Sequence, residues 1–139
     1  MNINDARAAI WKRIIDSGLV TVDRIDFGDG NQGGFIIPTN GQWIRPTVRL
    51  QSGSVQSLGG GDAATRRERR GTIIVQVFSD LQGGEYEADN LANQLLLLFE
   101  AQADRPVYYR EFGVADVGRD DAWWQKNVSG SFDFDTVCV

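Results

Sequence analysis

The chain has 139 residues, 42% of them hydrophobic, with 14 Lys and Arg against 19 Asp and Glu for a net charge of −5. That balance suits one domain with a real core, excludes general disorder, and argues against a general nucleic-acid-binding role. With no His and one Cys, Cys138, the chain has no Ser–His–Asp or Cys–His nucleophile, no internal disulfide framework and no Cys-rich zinc site.

Residues 3–17 read as a helix, because Ile3, Ala6, Ile10 and Ile14 recur at helical spacing and Trp11 and Ile15 widen the stripe. Asn2 or Asn4 is the expected cap at its start, and Gly18 the stop at its end. Residues 20–27 read as a strand or extended connection, Gly28–Gly34 as a turn, and Phe35–Ile37 as extended chain before Pro38. From Trp43 to Leu50 the pattern alternates, with Ile44, Val48 and Leu50 on one face and Arg45, Thr47 and Arg49 on the other. Pro46 has no backbone donor, so this strand is expected at an edge or bulged.

Residues 51–70 read as a long polar loop containing Gly59–Gly61 and the cluster Arg66, Arg67, Glu68, Arg69, Arg70. Residues 71–80 read as a strand that is apolar on both faces, hence central. After Gly83 and Gly84, residues 85–101 read as a helix. Ala88, Leu91, Ala92, Leu95 and Phe99 form its buried stripe, and acidic residues gather in its first turn. A strand pair is expected at about 106–118 and 124–137; in the second, Val128, Gly130, Phe132 and Phe134 share one face. The fold class is therefore α+β: a mainly antiparallel sheet with two helices packed on it, in a single domain.

Most motif-like stretches reduce to structure. Gly28–Gly33 satisfies G-x-G-x-x-G, but it leads into extended chain rather than a helix, so it reads as a turn and not a dinucleotide site. Asp26, Asp29 and Asn31 lack EF-hand spacing, and no Gly-Lys-Ser/Thr follows the triple glycine. Asp120 and Asp121 beside Trp123 and Trp124 hint at a sugar site. Adjacent carboxylates on a turn, however, are poorly placed to flank a glycosidic bond. No catalytic residue, metal ligand or cofactor is assigned. The longest apolar run, Leu95–Phe99, is too short for a membrane span, and charges from Asp5 to Asp16 prevent a signal core, so synthesis in the cytoplasm is expected. The arginine cluster admits three readings: a solvated loop, contact with an acidic protein surface, or contact with nucleic acid.

Several blocks, taken in order, resemble the tail terminator family of long-tailed bacteriophages, the group that includes lambda-like minor tail protein U. They are the opening helix with Arg7, Ala8, Ile10 and Arg13; the Trp43-Ile44-Arg45 strand; Arg70-Gly71-Thr72 running to Phe78; the helix with Ala88, Asp89, Leu91, Ala92, Leu95 and Phe99; and Val117-Gly118 with Trp124-Gln125 through Val128 and Phe132. The resemblance implies a virion structural protein with no catalytic residues. Such a protein is assembled in the host cytoplasm as a ring, typically a hexamer, on the head-proximal end of the tail tube. It stops tube polymerisation and offers a surface to the head–tail connector, and DNA passes through without specific binding. Trp43, Arg66, Arg67, Arg69, Arg70, Trp123 and Trp124 are the interface candidates. Another neck or head-completion protein, a tail-tube subunit, or a small carbohydrate-binding module or enzyme are the alternatives.

Overall fold

The computed structural model describes residues 2–28, 35–55, 65–101, 107–120 and 122–138. Most of the 28–34 turn, the triple glycine, Pro106 and Asp121 lie outside the described residues. Helix α1 (Ile3–Ser17) begins at a capping box: the Asp5 amide donates to the Asn2 side chain at 2.8 Å, and the Asn2 amide donates to the Asp5 carboxylate at 3.0 Å. Asn2, not Asn4, is thus the cap. The helix ends at Gly18, whose φ of 68° is the left-handed conformation that glycine adopts without a Cβ clash.

The expected strand at 20–27 shrinks to a 3-10 turn (Val22–Arg24) and a single parallel bridge between Ile25 and Ile44. The Asp26 amide donates to the Ile44 carbonyl at 2.9 Å, so Ile44 points its backbone groups outward from the sheet. By alternation the next outward residue is Pro46, which has no N–H to continue the ladder. Among the described residues, this is the one bridge on that edge.

Strands β1 (Gln42–Val55), β2 (Thr65–Asp80), β3 (Tyr108–Arg119) and β4 (Trp123–Cys138) form one antiparallel sheet in the order β1-β2-β4-β3. Helix α2 (Gly84–Glu100) carries the chain from β2 to β3, and β4 returns between them. This is the α+β domain expected, with Pro46 on an edge strand and β2 inside.

The loop expected at 51–70 is corrected. β1 runs on to Val55 and β2 starts at Thr65, with a register slip between Leu50 and Ser52. Arg66, Arg67, Arg69 and Arg70 are strand residues, and Arg67, Arg69 and Arg70 have neighbours on both sides: Arg67 opposite Val55 and Thr136, Arg69 opposite Gly53 and Phe134, Arg70 opposite Ser52 and Asp133. Cross-strand pairing on two sides makes a strand of a sequence that has no apolar alternation.

Both helices cover one face of the sheet. Ala6, Ile10 and Ile14 of α1 and Leu91, Ala92, Leu95 and Phe99 of α2 join Ile44, Val48, Ile73, Val75, Val77, Val128, Phe132 and Phe134 in one buried cluster. The Arg13 Nε ties the helices by donating to the Leu98 carbonyl at 3.1 Å. Leu50, expected on the buried face, is 46% exposed. Its cross-strand partner is Gly71, where a Cβ would collide with the Arg49 carbonyl and the Phe132 ring. Gly130 likewise makes room for Phe112, which crosses from a bulge in β3 to stack on Phe99 with ring centroids 4.8 Å apart.

Candidate assembly surfaces

The open face of the sheet carries an aromatic group at the end where β1 begins. Trp43 stacks on its cross-strand neighbour Phe78 at 4.1 Å, meets Trp123 edge-on at 6.0 Å, and lies 5.4 Å from Phe35. The Arg45 guanidinium sits 5.2 Å from the Trp43 ring and is fixed by a 2.9 Å ion pair to Asp26. Trp43 is only 2% exposed, which corrects its expected place as a surface anchor: it is the centre of a small second core. Its indole Nε1 and the Ser79 hydroxyl have no hydrogen-bond partner among the described residues. Trp123 and Trp124 are half-buried on opposite faces of β4, Trp124 with the Arg119 guanidinium 5.8 Å from its ring.

The turn before β4 is built by Asp120. Its carboxylate accepts the Ala122 amide at 2.8 Å and the Trp123 amide at 2.6 Å, and these bonds hold its carboxyl below the usual carboxylate range. That is the reverse of what a general acid needs. Asp80 does similar work at the same end of the sheet, accepting the Gly41 amide at 2.6 Å and the Gly83 amide at 2.7 Å. Those two bonds lower its pKa as well.

Sequence reading missed Lys126. It occupies a core-face position of β4, with its side chain 4% exposed, and its Nζ reaches Glu85 at 2.8 Å, Asp89 at 3.1 Å and Asp116 at 3.1 Å. Burial alone would depress its pKa. The hydrogen bonds to Glu85, Asp89 and Asp116 outweigh burial and raise it well above the ordinary lysine value. The available signals were a lysine in the apolar register of Val128 and Phe132 and two acids four residues apart at the start of α2.

The arginines lie elsewhere. Arg70 and Phe78 are eight positions apart on β2, about 27 Å at strand rise. The structure thus gathers Trp43 and Trp123 at one end and the four arginines at the other. Arg69 is half-buried and Arg70 exposed; Arg110 of β3 pairs with Asp133 at 2.8 Å nearby. A cleft of about 680 Å³ beside the β1 edge is lined by Arg7, Trp11, Phe27, Arg45 and Thr47, among others. Among the described residues no group of three side chains is placed to hold a metal ion, and no helix is long and apolar enough to cross a membrane.

No protein-family model matches the chain, and no curated protein matches it. Solved structures do: one aligns over 96% of this chain and 96% of its own, with a TM-score of 0.67 at 20% sequence identity. That likeness is one of fold over the whole domain.

Proposed function

We propose that the chain is a ring-forming virion structural protein of the tail terminator type. It would cap the head-proximal end of a phage tail tube, stop tube polymerisation and present the head–tail joining surface. The observation that carries this reading is the ordered set of blocks from Arg7 to Phe132 that resembles the tail terminator family. Three features of the molecule support it. The domain has two edge strands, β1 and β3, on a four-stranded sheet, the kind of surface that small ring proteins use between copies. Its charge is segregated along the sequence: α2 carries Glu85, Glu87, Asp89 and Glu100 and no Lys or Arg, whereas Thr65–Arg70 carries four arginines and one glutamate. Asp120, the acid a sugar site would use, is committed to a turn.

Electron microscopy of the purified full chain, alone and with tail-tube protein, tests the proposal. Closed single rings that block further tube growth are expected. Self-polymerisation into tubes would instead assign a tail-tube subunit, and rings that bind heads but leave tubes growing would assign another neck protein.

A further inference from the structure

The outward ridge of α2 differs from its flanks. At about 100° per residue, Tyr86, Asn90, Asn93 and Leu97 fall within an arc of about 60°, opposite the buried Leu91, Ala92, Leu95 and Phe99. All four are exposed, Tyr86 by 72% and Leu97 by 57%, and none carries a charge. The acids lie to either side. Glu85 and Asp89 are on one flank, drawn to the buried Lys126 ammonium at 2.8 and 3.1 Å, and Glu87 is on the other flank with Leu98. Large uncharged groups at the centre with charge at the rim is the anatomy of a protein interface.

The ridge is also symmetric from end to end. Tyr86 stands as far before the midpoint between Leu91 and Ala92 as Leu97 stands after it, and Asn90 as far before it as Asn93 after. A second copy of the same helix, laid antiparallel, therefore brings Tyr86 onto Leu97 at both ends and Asn90 onto Asn93 twice at the centre. Ring meets aliphatic side chain, and each amide has both the donor and the acceptor that the other needs. A shallow crossing of about 20° keeps all four pairs in contact.

Charge selects that orientation. The first half of α2 carries Glu85, Glu87 and Asp89, the second half only Glu100, and neither half has a Lys or Arg. Parallel docking would set acids against acids. Antiparallel docking sets each acidic half against the uncharged half of the other copy. It also brings Glu87 towards the flank where the Arg13 guanidinium donates to the Leu98 carbonyl, and it brings Glu100 level with the positive end of the other helix dipole.

We propose that the outward ridge of α2 is a two-fold self-association surface on which a second copy of this chain docks its own α2 antiparallel. The contact stands apart from the ring reading, because an isologous contact closes at two copies and builds no larger ring. The ridge is about 25 Å long and about 10 Å wide, less than the roughly 800 Å² per partner of a standard interface, so a weak dimer with a Kd of about 10 μM to 1 mM is expected.

The test uses the full chain. Sedimentation velocity across that concentration range is expected to show the wild type passing from monomer to dimer. Leu97→Glu, at an exposed position, is expected to keep the wild-type melting temperature and to dimerise at least about tenfold more weakly, because it sets a charge against Tyr86 of the other copy. Ile36→Ser, which removes an 86% exposed apolar side chain away from α2, is expected to change nothing. Orientation is read by disulfide trapping in a Cys138→Ser background. A mixture of Tyr86→Cys and Leu97→Cys copies is expected to crosslink, whereas Tyr86→Cys alone is not, since two such positions lie about 16 Å apart along antiparallel helices, beyond disulfide reach.

A wild type that stays monomeric throughout overturns the proposal. So does association, to a dimer or beyond, that Leu97→Glu leaves unchanged or that Ile36→Ser weakens equally. Crosslinking of Tyr86→Cys alone as fast as the mixture, or no crosslinking in either sample, overturns the antiparallel pairing.

Discussion

Replacing Lys126 by Met keeps the apolar stem and removes a cation that Glu85, Asp89 and Asp116 share. Their oxygens lie 2.8, 3.1 and 3.1 Å from the Nζ, so the three carboxylates crowd around a single point. Unit charges about 5 Å apart at a half-wet surface repel by about 1–2 kcal/mol per pair. All three side chains are around half exposed, so they can swing apart and be solvated, which cuts the sum. A net loss of about 2 kcal/mol is expected, below the 3–5 kcal/mol or so of a fully buried broken pair. Urea unfolding at pH 7 followed by tryptophan fluorescence measures it.

The pH profile adds a second check. The folded protein raises the Lys126 pKa above its unfolded value. Its stabilisation is therefore complete below about pH 10, the unfolded lysine range, and falls away as pH climbs beyond it, because the unfolded chain then holds fewer protons than the folded one. The gap between wild type and Lys126→Met should narrow above pH 10. Equal stability at pH 7, or a gap that widens in alkali, would refute the reasoning.

Three further outcomes follow from single sites. Asp80→Asn should soften the acid limb of the stability curve: the wild-type carboxyl is lowered by the Gly41 and Gly83 amides, so its contribution is present above the usual carboxylate range and lost as pH falls through it. Urea midpoints from pH 2 to 6 that run parallel in both proteins would contradict this. Gly130→Ala should destabilise by about 1–3 kcal/mol, since the new methyl collides with the Phe112 ring and must displace it from Phe99; an unchanged melting temperature would show that the stack is not needed. Asn2→Ala should cost about 1 kcal/mol through loss of the capping box, read as a lower thermal midpoint, whereas Asn4→Ala should cost less than half as much.

The elements legible in the sequence were those whose pattern is self-contained. The α1 and α2 stripes, the Gly18 stop, the two-sided apolar run of β2 and the alternation of β4 all depend on residues close together in the chain. What was not legible depended on partners from elsewhere. Gln51–Val55 and Thr65–Arg70 carry no strand pattern; they are strand because each lies against the other and β4 flanks the second. Trp43 falls in the polar register of β1, beside Arg45. It is buried because Phe35, Phe78 and Trp123 arrive from three other segments to enclose it. Lys126 breaks the apolar register of β4, and only the arrival of Glu85, Asp89 and Asp116 makes that position tolerable. The candidate interface was legible as residue types and not as a surface: the tryptophans and arginines proved to be at opposite ends of the sheet.

The most direct test of the terminator assignment is tail length by electron microscopy, in the phage or prophage that carries this gene, after the gene is deleted. Overlong or unterminated tails that fail to join heads are the predicted result. Tails of normal length, or virions unaffected by the deletion, would contradict it.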